Sequence, residues 1–450
     1  MKDLIQTLRN IFKIPELKDR ILYTLMLLAV YRLGTFVILP GIDSAILQSS
    51  FGNAGAGGNL LDLFNVFLGG AFARGSILAL GIMPYISASI VVQLLGAVLP
   101  SIQKLRTEGE SGQRKMNQIT RYLTVLITLG QAASYVVYLV GSYPNAIPTE
   151  GTPEYNFFVV TSVVILTAGT MFLVWLGERI TDNGIGNGVS LLIMIGIISG
   201  FPAAIIQEAR SSLPMVFFIE ILALGVVTMA VVALTQATRK IPVNYARQSM
   251  GNRIGQLGRG NAARQYIPLK VNSAGVMPII FAQAIMFLPT TLIQLSGAES
   301  LTGLMTVLGD FTSFWYNFIF FFMIIIFTYF YTAITVNPNE IADQLKRNGG
   351  FIPGIKPGKR TANYIDTILS RITLPGSIFL AIVSIFPAIA IVLGSSSGFA
   401  QFFGGTTLLI MIGVTLDTLQ QIESYLLMRH YDGLMQSGRV KGRKRSGLAV

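Results

Sequence analysis

The residues able to make or break bonds are sparse and badly placed for it. Asp417 and Glu423 are the deepest carboxylates, and they share one apolar segment, six residues apart. Six residues turn a helix by about 600°, which sends the two side chains to different faces, about 120° apart. They form no acid–base pair without a partner elsewhere. His430 is the single histidine, beside the charged C-terminal end, and there is no cysteine. That excludes a Ser-His-Asp triad in the body of the chain, a multi-histidine or thiolate metal site, iron–sulfur ligation, a cysteine nucleophile and disulfides. No GxxxxGK[ST] loop is present for nucleotide hydrolysis. The glycine-rich GIGNG (184–188) follows Glu178, Arg179 and Asp182 and opens an apolar segment, and a tight turn feeding a helix accounts for it without a phosphate. Arg32 in the first span, Asp417 and Glu423 in the last, and Glu220 near a span end are the few candidates for deep charge, and each reads as part of a fixed ion pair or as an interfacial charge. No catalytic, cofactor-binding or metal residue is expected, and no cofactor.

What must be positioned is therefore apolar. The chain has 450 residues, 52% hydrophobic and only 12% charged, against about 25% charged in ordinary soluble proteins. A helix needs about 20 mostly apolar residues to cross a bilayer. The pattern predicts ten such spans, at 20–39, 75–99, 120–141, 156–177, 187–207, 214–236, 272–294, 314–336, 372–394 and 404–427. The alternating segments of about 10 residues that mark a membrane β-barrel are absent. The net charge of +12 sits between the spans, not on a nucleic-acid face. Basic residues crowd alternate connections: the N-terminus, the second, sixth and eighth loops, and the tail. The others carry only Arg74 and Arg210. The positive-inside rule then puts both termini in the cytoplasm. Residues 1–19 lack a signal-peptide cleavage site and read as an amphipathic arm on the membrane surface.

Two irregular features interrupt this pattern. Asn59–Phe72 is apolar but too short to cross; it fits either a half-helix buried within the protein or a helix on the external surface. The tetrapeptides Gly-Ile-Met-Pro (81–84) and Gly-Val-Met-Pro (275–278) fall near the starts of the second and seventh spans. They occupy corresponding places if the chain is two halves of five spans. Five is odd, so the second half is inverted. Inverted halves with broken helices at matching places point to a central pathway.

Several segments carry a family resemblance by their order and spacing. They include PGID (40–43), FNVFLGGAFARGSILALGIMPYISASIVVQLL (64–95), EGESGQRK (108–115) and GTMFLVWLGERITDNGIGNGVSLLI (169–193). Further on come RKIPVNYARQ (239–248), PLKVNSAGVMPIIFA (268–282), NPNEIADQLKRNGGFIPGIKPG (337–358) and FFGGTTLLI (402–410). Over nearly the whole chain the sequence resembles the SecY family, the main subunit of the bacterial Sec protein-conducting channel. The resemblance implies an all-α membrane protein with ten transmembrane helices in two pseudo-symmetric inverted halves and a short re-entrant plug helix. On that frame residues 20–207 form the N-terminal half with the plug at about 59–72. Residues 208–213 are a hinge loop, 214–427 the C-terminal half with large loops at 239–271 and 337–371, and 428–450 a basic tail.

The resemblance also implies site residues. A pore ring is expected at Ile82, Ile86, Val189, Ile193, Ile280 and Ile410, sealed by plug residues Leu63, Phe64, Asn65 and Phe67. A lateral seam, spans two and three against seven and eight, is expected to carry a polar contact between Gln93 and Asn272. Docking of partners is expected at Arg247, Arg253 and Lys356; Lys356 stands where the family usually has arginine, keeping the charge but losing the planar fork. The implied partners are SecE, SecG, the SecA motor ATPase, the translating ribosome, preproteins with their signal sequences and membrane lipids, with no specific nucleic acid beyond the ribosome. The implied location is the bacterial cytoplasmic (inner) membrane. The expected function is a passive channel for unfolded polypeptides that also releases apolar segments into lipid. A small-solute secondary transporter shares inverted repeats but usually buries more ionisable groups than this chain has. An intramembrane enzyme lacks a carboxylate pair.

Overall fold

The computed structural model describes residues 14–43, 47, 65–143, 153–245, 265–296 and 310–436. Ten helices stand where the ten spans are predicted. They are α1 (Pro15–Gly34), α2 (Met83–Val98), α4 (Glu110–Ser142), α5 (Pro153–Asn183), α6 (Gly188–Ser211), α7 (Pro214–Gln236), α8 (Met277–Ser296), α9 (Phe314–Thr335), α11 (Lys359–Val392) and α13 (Gly405–Gln436). Short helices α3 (Pro100–Thr107), α10 (Pro338–Arg347) and α12 (Ser397–Ala400) lie between them. Among the described residues seven helices are long and apolar enough to cross a membrane, with α2 and α8 as shorter apolar helices. Helix α1 completes the ten; Glu16, Lys18, Asp19 and Arg20 sit in its first two turns and Arg32 in its last.

The two halves repeat one packing order. In the first, α2 packs on α4, α4 on α5 and α5 on α6; in the second, α8 packs on α9, α9 on α11 and α11 on α13. The halves meet where α6 packs on α13 and α12, and where α8 packs on α2 and α4. The tetrapeptide repeat explains the matching starts. Gly81 and Gly275 both adopt left-handed backbone, φ +56° and +64°, and the proline two residues after the intervening residue falls in the first turn of α2 and of α8. Proline is at home there because that turn has no intrahelical partner for its missing N–H.

This corrects two span boundaries. The second span does not begin at 75: residues 68–82 are turns, with Ile38 and Ser76 forming an isolated antiparallel bridge. Helix is excluded there by four left-handed glycines, Gly69, Gly70, Gly75 and Gly81. Likewise 271–276 is a turn and the seventh span starts at Met277. Other helices overrun their predicted ends. Helix α4 begins ten residues early, at Glu110, and α11 starts at Lys359, because polar helix continues past the membrane where the sequence supplies good helix formers.

The long loops carry structure that the span pattern does not report. Strands β1 (Thr238–Tyr245), β2 (Gln265–Lys270) and β3 (Gly350–Phe351) form an antiparallel sheet in the order β2-β1-β3. Thr238 pairs with Lys270 and Val243 with Gln265. Ile241, Val243 and Leu269 point into a small core with Leu345 of α10, Ile352, and Ile365 and Leu369 of α11. Asp417 and Glu423 are both exposed, so neither is a charge buried inside the protein.

Candidate functional site: an apolar waist between the halves

The six ring residues come from four helices, two in each half. Ile82 caps the start of α2 and Ile86 lies one turn on; Val189 and Ile193 open α6; Ile280 is in the first turn of α8 and Ile410 in the second turn of α13. All six belong to one hydrophobic cluster, in which Ile82, Ile86, Ile193 and Ile410 are buried and Val189 and Ile280 pack against them. Their positions are set by the turns that precede each helix. Asn187 caps α6, its side chain accepting from Ser190 N at 3.3 Å. The GIGNG turn is stitched from both sides: Ile185 N donates to Thr24 Oγ1 of α1 (3.1 Å), and Gly186 N to Gln421 Oε1 of α13 (2.9 Å). It is a packing turn, as expected. A Cβ on Gly188 would lie 1.9 Å from the Gly177 carbonyl, so only glycine lets α6 start this close to α5.

Of the four plug residues, Asn65 and Phe67 are described, and Leu63 and Phe64 lie outside the described residues. Phe67 is buried in the same cluster as the ring. Asn65 ties off the turn, accepting from Gly70 N at its carbonyl (2.9 Å) and from Ala73 N at its side chain (3.0 Å). Tyr135 of α4 donates to the Phe72 carbonyl at 2.8 Å. Gly196 lets the turn sit directly on α6, since a Cβ there would lie 2.4 Å from the Phe67 carbonyl.

Two cavities flank the contact between halves. One, about 300 Å³, has Ile193, Ile280 and Ile410 on its floor and Lys270, Asn272 and Asp417 among its polar walls. The other, about 320 Å³, lies between α2, α4 and α9 and includes Ser89, Gln93, Gln113 and Asn117. Tyr331 and Thr335 of α9 line both. Tyr331 is held edge-on against Phe281 of α8, with ring centroids 5.7 Å apart. Sequence patterning missed this partition; the polar residues within FTYFYTAIT (327–335) were the available signal.

The expected polar contact across the seam is not formed. Gln93 Nε2 donates instead to Ser89 Oγ, one turn back on its own helix, at 3.1 Å. Asn272 is buried with its Oδ1 unpartnered. The two amides face different cavities, and the α9 partition stands between those cavities. Of the docking residues, Lys356 is exposed in the turn after β3, where its carbonyl accepts from Thr361 Oγ1 at 3.0 Å. Arg247 and Arg253 lie outside the described residues, between β1 and β2.

A family model for SecY matches residues 76–419. The chain belongs to the SecY family. It is 42% identical over 436 residues to the protein translocase subunit SecY of Haemophilus influenzae, covering 95% of this chain and 96% of that one. It is 38% identical over 446 residues to the Thermotoga maritima subunit, covering 98% and 100%. A solved protein-conducting channel shares the fold with a TM-score of 0.60 at 16% identity, covering 90% of this chain and 91% of that one. A SecY structure whose plug domain stabilises the closed channel shares it at 0.59 and 17%, covering 90% and 91%. The SecY-family chain described here is thus a multi-pass membrane protein with the fold of these channels. In that light the six ring residues come from both halves, whereas the segment 65–82 packs on α4, α5 and α6 of the first half.

Proposed function

We propose that this SecY-family chain conducts unfolded polypeptides across the bacterial cytoplasmic membrane and releases apolar segments sideways into lipid. The observation that supports the reading is that six aliphatic side chains from both halves belong to one apolar cluster, with Ile193, Ile280 and Ile410 lining one cavity between the halves. A transiting chain presents every side-chain type. Fixed charges or hydrogen-bond donors would hold some sequences and repel others, whereas aliphatic groups close around any of them and exclude water when closed. Lateral release would run between α2 and α4 on one side and α8 and α9 on the other, past Gln93 and Asn272, with Phe67 and its turn as the seal.

Both termini are assigned to the cytoplasm, and the β1–β2 hairpin, α10 and Lys356 to a cytoplasmic docking surface that includes Arg247 and Arg253. The partners of this surface would be SecA and the translating ribosome, with SecE and SecG as companion subunits. Support for the ribosome comes from the canine ribosome–channel complex, whose Sec61 has this fold at a TM-score of 0.57 and 15% identity, covering 90% of this chain and 91% of that one. The chain itself does no chemistry; motion is driven by its partners.

Replacing Ile86, Ile193, Ile280 and Ile410 with glycine tests the waist. Planar-bilayer recordings of the resting channel should show a raised ion conductance while preprotein transport persists. A quadruple variant as tight as the parent would refute the assignment.

A further inference from the structure

Helix α1 ends in an arginine pair that the channel reading does not use. Arg32, in the last turn of α1, and Arg74, in the turn before α2, share the ring of Phe36: the two guanidinium Cζ atoms stand 5.8 and 4.5 Å from its centroid. Both side chains are half-buried, and Nη1 of each is fully buried without a hydrogen-bond partner. Among the described residues neither has a carboxylate partner. The backbone makes room for both. A Cβ on Gly69 would lie 2.6 Å from Arg32 Nη1, and one on Gly70 would lie 3.1 Å from Arg74 Nη2. Two like charges held around one ring, with buried donors unfilled, are unfavourable unless an anion joins them.

The surroundings say which anion. Phe36, between the arginines, is 58% exposed, and an apolar stripe of α1 leads towards it through Leu22, Met26 and Leu33, with Leu33 71% exposed. Residues 22, 26 and 33 recur at helical spacing on one face of α1. Exposed aliphatic surface beside an unneutralised guanidinium pair is complementary to an amphiphile with an anionic head. We propose that Arg32 and Arg74 bind the phosphodiester of an anionic phospholipid at the C-terminal end of α1, with its acyl chains along that stripe. Guanidinium forks match phosphate oxygens bidentately. The lipid would neutralise the pair and fix the turn at 68–82 against α1.

The test is native mass spectrometry of the full-length chain, titrated with phosphatidylglycerol, phosphatidylcholine or inorganic phosphate. Wild type should retain one phosphatidylglycerol about tenfold more tightly than phosphatidylcholine, because only the former has a net negative head. Inorganic phosphate should bind more weakly still, since it has nothing to lay on the stripe. Arg74→Gln should lose the preference and Arg74→Lys should keep part of it, with melting temperature checking that both fold. Absence of headgroup preference in wild type overturns the proposal without any variant. So does an unchanged preference in a folded Arg32→Gln/Arg74→Gln chain, or phosphate binding as tight as the lipid. Co-purification of a protein that these variants lose while lipid retention is unaffected would assign the stripe to that protein and also overturn it.

Discussion

The two halves touch along two seams built on opposite principles. On the side of the 212–213 linker two carboxylates are clasped, although Glu220 Oε2 is buried without a partner. Glu208, fully buried near the end of α6, accepts from Ser212 Oγ beyond the helix end, and from Ser396 Oγ and Ser396 N (3.1 Å) in the turn between α11 and α12. Glu220 of α7 accepts from Ser395 Oγ at 2.6 Å. Two carboxylates, one from each half, thus grip one turn of the second half. On the other seam Gln93 turns back onto its own helix, Asn272 Oδ1 has no partner, and two cavities stand open. Buried hydrogen bonds to charged groups each contribute about 1.5–3 kcal/mol, whereas cross-helix contacts between neutral polar groups in membranes average about 0.6. Sideways opening, as proposed above, would need this asymmetry: a strong joint where the chain bends and a weak one where it parts.

Breaking the clasp should have the largest effect. Glu208→Ala removes the shared acceptor of the half-buried Ser212 and Ser396 donors, and is expected to destabilise the chain by about 1.5–3 kcal/mol, seen as a lower unfolding midpoint in detergent. Glu208→Gln, which keeps the size and one acceptor, should recover part of that loss. Tyr331→Ala is expected next. It removes the partition between the cavities and the edge contact with Phe281, which is worth about 0.5–1.5 kcal/mol beyond burial. Because the weakened element is at the seam, substrates with less apolar signal sequences should be accepted, measured as transport across a graded signal series.

The amides sharpen the contrast at the small end of the scale. Gln93→Leu is expected to shift the signal hydrophobicity needed for opening by an amount equivalent to about 0.6 kcal/mol. Asn272→Leu should be neutral or slightly stabilising, because it removes a buried acceptor that has no partner. The sign is the point: deleting a polar group should weaken the linker seam and leave the other seam as strong or stronger. A loss of several kcal/mol from Asn272→Leu would break the comparison.

The ten helices were legible because each is a run of apolar residues longer than any surface helix needs, as in Pro214–Gln236, where predicted and observed ends coincide. Boundaries failed where the backbone conformation, and not hydropathy, decides. Residues 75–82 are as apolar as α2, but Gly75 and Gly81 hold left-handed backbone that no helix contains. The β1–β2 hairpin was hidden by its charges, although Ile241 and Val243 already showed the two-residue period of a strand. Of the site, Ile82 and Ile86 were readable only as sharing a helix face. Bringing them to Val189, Ile193, Ile280 and Ile410 requires the tertiary packing of four helices, which no local pattern encodes. Glu208 gave no signal at all, since its partners Ser212 and Ser396 lie 4 and 188 residues away.

The central claim is that a polypeptide passes through the waist, and the absence of cysteine from the chain allows a direct measurement. Single cysteines are placed at Ile86, Ile193, Ile280 or Ile410, and, as controls, at Val226 and Met229 on the exposed face of α7. A preprotein carrying one cysteine is stalled in mid-transport with the chain's partners present, and disulfide formation is scored at each position. Cross-links at all four ring positions and none at the α7 controls are expected. Cross-links confined to the α7 controls, or none at the ring in a preprotein that is demonstrably stalled, would contradict the account.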